Sequence, residues 1–180
     1  MKTLLLLRHA KSSWDNPDIA DFDRPLNAKG ERAARTVGRR LHDDGVRFDH
    51  VIASPAVRVR ETLAQLWEGF GSSPDVAFDA ALYLAPADSL LDHVQRTDDR
   101  IDRLLLVGHN PGLEDLVLTL IPDNPDDRLR DDVEEKFPTA SLAVITLPVD
   151  SWGEVRAGSG QLERFIRPRD LDPALGPDRS

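Results

Sequence analysis

Short, uninterrupted apolar runs constrain the fold of this chain more than any other feature of its sequence. Residues 4–7 are four leucines, and residues 104–107 are Leu-Leu-Leu-Val. A run this short and this apolar is typical of a strand that is covered on both faces. Further strands are predicted at residues 51–53, 142–147 and 162–166, with a short one at residues 78–84.

Between these runs, apolar residues recur at the spacing of a helix turn. A first helix is predicted to begin after Asn27 and to end at Gly45, and a second to begin with Ser54 as its N-cap and Pro55 as its first residue. Two more helices are predicted, over residues 88–97 and after residues 110–111, and a polar loop over residues 122–135. Strands alternating with helices indicate an α/β fold, a three-layer sandwich whose mostly parallel sheet is flanked by helices.

Composition narrows the classes of protein to consider. The 180 residues show no internal repeat, which predicts a single domain over residues 1–170 and a flexible tail over residues 171–180. There is no cysteine, so disulfides and thiolate metal sites are excluded. The net charge of −9 disfavours nucleic acid as a partner. Residues 4–7 are too short for a signal sequence, and no run is long enough to span a membrane, so a cytoplasmic protein is expected.

Basic side chains follow three of the predicted strands. Arg8 and His9 come directly after the first, Arg58 lies one helix turn beyond the second, and His109 follows residues 104–107. Because ligands of parallel sheets bind beyond the carboxyl ends of the strands, these groups are expected to meet, and Arg24 can reach the same place. Guanidinium groups around a positioned ring nitrogen are what phosphoryl transfer requires.

Several motifs resemble those of the histidine phosphatase superfamily, in particular the branch of the phosphohistidine phosphatase SixA. They are Arg8-His9-Ala-Lys-Ser, Ser54-Pro-x-x-Arg58-x-x-x-Thr62, Gly108-His109-Asn110-Pro111, the turn at residues 21–26, and Phe137-Pro138-Thr139. Ala10 stands where the superfamily more commonly has glycine, a departure typical of the SixA branch. The resemblance covers about residues 2–170 and implies a phosphoglycerate mutase-like fold.

The resemblance also implies roles for individual residues. His9 would be the nucleophile that becomes phosphohistidine, and His109 would donate to the phosphoryl group. The implied catalytic residues are His9, His109, Arg8 and Arg58, and the implied phosphate ligands are Arg8, Arg24, Arg58, His109 and Asn110. No cofactor and no metal is implied, and the two histidines lack the spacing of a zinc motif.

Two absences favour a substrate with a good leaving group. Many members of the superfamily place a carboxylic acid after the third strand, whereas residues 81–87 contain none before Asp88; Asp15, Asp18 and Asp21 remain as alternative proton sources. No insert is long enough to be a lid, which favours phosphate carried on a protein. In the same first loop, Trp14 is expected to pack rather than to contact substrate.

These observations favour a phosphatase acting on phosphohistidine in proteins. Two alternatives stay open: a low-specificity phosphomonoesterase that acts on small phosphate esters, and a non-catalytic module that binds phosphorylated partners. The expected partners are therefore a phosphorylated protein or a small phosphate ester, without nucleic acid or membrane. The sequence leaves the oligomeric state open, with a monomer favoured.

Overall fold

A six-stranded sheet forms the centre of the molecule in the computed structural model, which describes residues 1–177. The strands are β1 (Lys2–Arg8), β2 (His50–Ala53), β3 (Ala77–Phe78), β4 (Arg103–Gly108), β5 (Leu142–Leu147) and β6 (Gln161–Ile166). They lie in the order β3-β2-β4-β1-β5-β6. All neighbouring pairs are parallel except those made by β5, which runs against both β1 and β6. The predicted mostly parallel sheet is confirmed.

Helices cover both faces of this sheet. The α-helices are α1 (Ala28–Asp43), α2 (Val57–Phe70), α3 (Ala87–Gln95), α4 (Gly112–Leu120), α5 (Arg128–Glu135) and α6 (Pro168–Leu171). Short 3-10 helices lie at Asp21–Asp23, Ala80–Leu82, Trp152–Glu154 and Pro173–Leu175. Asn27 caps α1 by accepting from the amide of Gly30, and Gly45 follows the helix with a φ of 67°, both as the sequence predicts.

The leucines of β1 divide the core into two halves. Leu4 and Leu6 pack with α3, α4 and α5 on one face, whereas Leu5 and Leu7 pack with α1 and α2 on the other. All four side chains are fully buried or nearly so, as expected for alternating residues of a strand between two helical layers. The three-layer α/β sandwich is therefore confirmed.

Three local predictions are wrong. Residues 122–135 are not all loop, because α5 begins after Asp127, whose carboxylate accepts from the amide of Arg130. Val133 on this helix is fully buried, which anchors an otherwise charged segment in the core. Within residues 78–84 the strand ends at Phe78, and a 3-10 helix follows. Helix α2 begins at Val57 rather than at Pro55.

The segment after the last strand makes defined contacts in its described part, while the flexibility expected of residues 171–180 stays a prediction. Leu171 ends α6, and Leu175 in the next 3-10 helix packs against a small cluster that includes Ala33 and Ala140. Lys29 Nζ donates to the carbonyl oxygen of Gly176 at 2.5 Å. These contacts hold the described part of the tail against α1, and residues 178–180 lie outside the described part. Within residues 1–177, no helix combines the length and apolarity needed to cross a bilayer.

Candidate active site

The carboxyl ends of three adjacent strands meet at one edge of the sheet. Arg8 pairs with Gly108 in the β1–β4 register, and the amide of His9 donates to the Gly108 carbonyl at 3.1 Å. Beyond β2, the amide of Ser54 donates to the carbonyl of Val107 at 3.1 Å. Backbone pairing therefore brings the residues that follow β1, β2 and β4 together.

These strand ends form the floor of an open cavity of about 310 Å³, here called the phosphate pocket. It is lined by Arg8, His9, Lys11, Ser12, Trp14, Asp21, Arg24, Arg58, Leu84, His109, Asn110 and Thr139. All six residues predicted from the sequence are present. Among residues 1–177, Asp21 is the only carboxylate in this lining, so the pocket is strongly cationic.

The ring of His9 is held in one orientation. Its Nδ1 donates to the Ala10 carbonyl oxygen at 2.7 Å, which leaves the lone pair on Nε2. The amide of Ala10 donates in turn to Thr62 Oγ1 at 2.9 Å. Burial is the main reason that the pKa of His9 falls from 6.5 to about 3, and nearby Arg8 and His109 lower it further. At neutral pH the pocket therefore presents a neutral imidazole.

A glycine lets helix α1 approach the loop that follows His9. A Cβ built on Gly30 would lie 2.1 Å from the carbonyl oxygen of Lys11, far inside van der Waals contact. The amide of Asn27 donates to the same carbonyl at 3.0 Å. The start of α1 therefore fixes the backbone two residues beyond the nucleophile.

His109 lies beside His9, with 5.3 Å between their ring centroids. Arg58 Nη2 is 3.4 Å from His109 Nδ1, and because a guanidinium can only donate, Nδ1 accepts. The proton is then on Nε2, which donates to Ser54 Oγ at 2.8 Å. Ser54, predicted as a helix cap, instead orients this histidine. Burial, followed by the charge of Arg58, lowers the pKa of His109 to about 4.

The arginines at the pocket have N–H donors that have no partner within residues 1–177, so these donors can bind a ligand. Arg8 Nη1 and Asn110 Nδ2 each donate to the Phe137 carbonyl at 3.0 Å, which fixes both side chains. The Nε atoms of Arg8, Arg24 and Arg58 are buried without a hydrogen-bond partner among residues 1–177. Burial lowers the pKa of Arg8, and the nearby charge of Arg58 acts in the same direction. A buried, under-satisfied set of cations is suited to an anion with several oxygens.

Asp21 connects the arginines across the mouth of the pocket. Its carboxylate accepts from Arg24 Nη2 at 2.9 Å, from Arg58 Nη2 at 3.0 Å and from the Tyr83 hydroxyl at 2.5 Å. The Tyr83 hydrogen bond, followed by those of the arginines, holds the pKa of Asp21 well below its usual range. Sequence reasoning named Asp21 only as a proton source and missed Tyr83, whose ring lies 5.4 Å from that of His109.

The region after β3 supplies no carboxylate to the pocket. Asp79 follows the strand directly, but its side chain caps the amide of Ala81 at 2.9 Å and lies 3.8 Å from His93 Nδ1. Asp88 accepts from the amide of Ser89 at 2.8 Å. Neither residue lines the phosphate pocket. Of the three alternative proton sources in the first loop, only Asp21 lines it within the described part of the chain.

Apolar side chains stand exposed around the pocket mouth. Trp14, expected to pack rather than to contact substrate, is 75% exposed, and its ring lies 3.8 Å from the guanidinium of Arg24. Leu84 is 53% exposed and has a φ of 51°, which is rare for a branched residue. Phe22 is also exposed and contacts Tyr83, with 5.1 Å between ring centroids. Trp14, Phe22 and Leu84 are here called the apolar rim.

Comparison with known proteins identifies the family. Residues 4–82, which carry both basic motifs of the first two strands, match the family described as histidine phosphatase superfamily (branch 1). The chain belongs to the histidine phosphatase superfamily. A relative in Mycobacterium tuberculosis, the uncharacterized protein Rv1276c, is 34% identical over 91% of this chain and the whole of its own length.

Solved structures show the same fold over more than nine-tenths of the chain. A candidate phosphohistidine phosphatase SixA from Agrobacterium tumefaciens is similar, with a TM-score of 0.77 and 28% identity over 92% of this chain and 97% of that chain. A second candidate SixA, from Nakamurella multipartitia, has a TM-score of 0.79 and 27% identity over 93% of this chain and 96% of that chain. The phosphoglycerate mutase-like fold is thus confirmed, and so is the resemblance to the SixA branch.

Proposed function

We propose that this histidine phosphatase dephosphorylates phosphohistidine in proteins through a covalent intermediate on His9. The observation that carries the proposal is the His9 ring, buried among Arg8, Arg58 and His109 and fixed so that Nε2 keeps its lone pair. A neutral nucleophile within a cluster of cations is matched to a phosphoryl group, which brings the negative charge that the pocket lacks. Independence from metals and cofactors stays a prediction.

In the first step, His9 Nε2 attacks the phosphorus of the substrate. A bond forms between Nε2 and phosphorus, and the bond from phosphorus to the substrate imidazole breaks. Its electron pair returns to that ring, whose other nitrogen carries a proton, so the ring leaves as neutral imidazole. No carboxylic acid is needed to protonate it, consistent with a pocket whose only carboxylate within residues 1–177 is the arginine-bound Asp21.

In the second step, water attacks the phosphorus of phosphorylated His9. The bond to Nε2 breaks, its electron pair returns to the ring, and the phosphoryl group leaves as dihydrogen phosphate. In both steps Arg8, Arg24 and Arg58 would hold the equatorial oxygens. A bound phosphoryl group would also raise the pKa of His109 by its charge, so that Nδ1 becomes protonated and donates to a phosphoryl oxygen.

The apolar rim supports a protein as the carrier of the phosphoryl group. Trp14, Phe22 and Leu84 present exposed apolar surface around a pocket that is otherwise charged. Exposed aromatic and aliphatic side chains next to a polar site are typical of protein-binding surfaces. A small phosphate ester that fills only the phosphate pocket would leave this surface uncovered.

The test compares two substrates in three proteins. A phosphohistidine protein and p-nitrophenyl phosphate are offered to the wild type, to His9→Ala and to Leu84→Asn, in which asparagine tolerates the positive φ but removes the apolar side chain. We expect faster release from the protein, loss of all release in His9→Ala, and in Leu84→Asn a KM that rises more for the protein than for the ester.

Other outcomes select the alternatives. Equal or faster hydrolysis of the ester, with Leu84→Asn affecting both substrates alike, would favour the low-specificity phosphomonoesterase. Binding of phosphoprotein without release of phosphate would favour the non-catalytic module. Release that survives in His9→Ala would contradict the covalent mechanism for either substrate.

A further inference from the structure

A second cavity adjoins the phosphate pocket on the side of the carboxyl-terminal helix α6. Its volume is about 290 Å³, and it shares Arg8, Lys11 and Thr139 with the phosphate pocket. The three shared residues place the second space directly beside the pocket that contains His9. None of the catalytic steps proposed above uses this space.

The lining of this second cavity combines cationic and apolar residues. It consists of Arg8, Lys11, Lys29, Ala33, Lys136, Pro138, Thr139, Arg167, Pro168, Arg169, Leu175, Gly176 and Pro177. Six of these thirteen residues are cationic and none is Asp or Glu, although the whole chain carries a net charge of −9. We call this space the basic cavity.

Not all of these cations can serve an incoming anion. Arg167 Nε donates to Asp170 at 2.9 Å, so its charge is already balanced. Lys29 donates to the Gly176 carbonyl. Arg8 faces both cavities. Lys136 is exposed and Arg169 half-buried, and these two stand at the cavity without lining the phosphate pocket.

We propose that the basic cavity binds an acidic side chain of the substrate protein, close in sequence to the phosphorylated residue. This proposal rests on the proposed function and specifies its substrate. The carboxylate would meet Lys136 and Arg169, while its methylene groups would lie against Pro138, Pro168 and Leu175. A lining that combines cationic and apolar residues matches an aspartate or glutamate side chain on a polypeptide better than a second free phosphate, which has no apolar part.

The test measures peptide binding to His9→Ala, which retains the cavity but cannot become phosphorylated. Two fluorescein-labelled phosphohistidine peptides are compared by anisotropy, one with glutamates and one with serines on both sides of the phosphohistidine, together with their unphosphorylated forms. The His9→Ala substitution is then combined with Lys136→Glu/Arg169→Glu, or with a control double substitution of equal charge change, Arg96→Glu/Arg128→Glu. Both control arginines are exposed and line neither cavity. Thermal unfolding verifies that each variant is folded.

We expect the glutamate peptide to bind roughly five- to tenfold tighter than the serine peptide, as one or two partly exposed ion pairs would give. Lys136→Glu/Arg169→Glu should abolish this preference, and the control should keep it. Equal binding of the two peptides, or a preference that survives in Lys136→Glu/Arg169→Glu, would overturn the proposal. Failure of the proposed function has a different signature: either phosphorylated and unphosphorylated peptides would bind equally, or the protein with His9 intact would bind the phosphorylated peptides without releasing phosphate.

Discussion

The two ends of strand β1 each bury basic side chains, but only at the amino end does the structure match every donor of the charged group with an acceptor. At the amino end, Lys2 is 3% exposed, and its Nζ donates to the carbonyl oxygens of Asp99 and Ile101 and to the carboxylate of Asp102, at 2.6 to 3.0 Å. At the carboxyl end, His9 is 7% exposed among cations, and the Nε of Arg8 has no partner within residues 1–177.

The difference separates a structural cation from a functional one. A buried charge whose hydrogen bonds are all made stabilises the fold in its present state, and its loss leaves unpaired acceptors. Buried cations that lie beside one another would instead be stabilised by binding an anion. Clusters of residues with perturbed pKa values are typical of active sites. Substitutions at the carboxyl end of β1 should therefore lower activity, whereas substitutions at the amino end should lower the free energy of unfolding and leave activity unchanged.

The largest expected effect is on activity at the carboxyl end. Arg58→Met should lower kcat/KM for p-nitrophenyl phosphate by about a hundred- to a thousandfold, because a buried donor to the phosphoryl oxygens is lost. The kcat/KM of Arg58→Lys should lie between those of Arg58→Met and the wild type, because lysine keeps the positive charge but not the planar set of guanidinium donors. Steady-state kinetics give both values. Activity in Arg58→Met within a factor of three of wild type would remove Arg58 from the site.

The next effect is on stability at the amino end. Lys2→Met should lower the free energy of unfolding by about 1–3 kcal/mol, because the carbonyl groups of Asp99 and Ile101 lose their donor. The kcat of the variant should match that of the wild type, since Lys2 lies at the far end of the strand. Urea unfolding followed by circular dichroism measures the first quantity. A variant as stable as the wild type would show that the acceptors at this end are easily resatisfied.

The smallest effect is a change in how steeply the free energy of unfolding varies with pH. The folded pKa of His9, about 3, lies below its ordinary 6.5, so between these values the unfolded chain binds a proton that the folded chain does not. Stability conferred by the neutral ring is thus complete above about pH 6.5 and is lost as pH falls toward 3. His9→Ala should flatten the fall in unfolding free energy between pH 6.5 and 5 by up to about 1.4 kcal/mol per pH unit.

Replacement of an exposed histidine provides the control for this slope. His42 lies exposed near the end of α1 and outside the phosphate pocket, so His42→Ala is the same substitution at a position without the surroundings of His9. Unfolding by urea at several pH values compares the three proteins. Identical slopes for His9→Ala and the wild type would mean that His9 is not held neutral in the folded state.

Sequence reasoning could locate the floor of the site because strand ends are encoded locally. Four leucines before Arg8-His9, and Leu-Leu-Leu-Val before Gly108-His109, indicate both the strands and the edge at which they end. The β1–β4 register confirms that the sheet brings these residues together. Their chemical roles stay predictions.

The mouth of the pocket could not be predicted in the same way. Asp21 and Tyr83 are 62 positions apart. Their contact depends on how the segment after β1 packs against the segment after β3, which no periodic sequence pattern predicts. Trp14 stacks on Arg24 with most of its surface exposed, an arrangement that no spacing in the first loop indicates. Helix α5 was missed because most of its residues are charged, and its cap at Asp127 and buried Val133 are weak signals.

The central claim is that His9 accepts the phosphoryl group on Nε2. Wild-type protein is mixed with a phosphohistidine protein and quenched in alkali, in which a phosphorus–nitrogen bond survives, and its peptides are then analysed by mass spectrometry and phosphorus NMR. We predict one phosphoryl group on the peptide that contains His9, attached at Nε2, and none in His9→Ala. Turnover by the wild type with the phosphoryl group on another residue, or on Nδ1 of His9, would contradict the account.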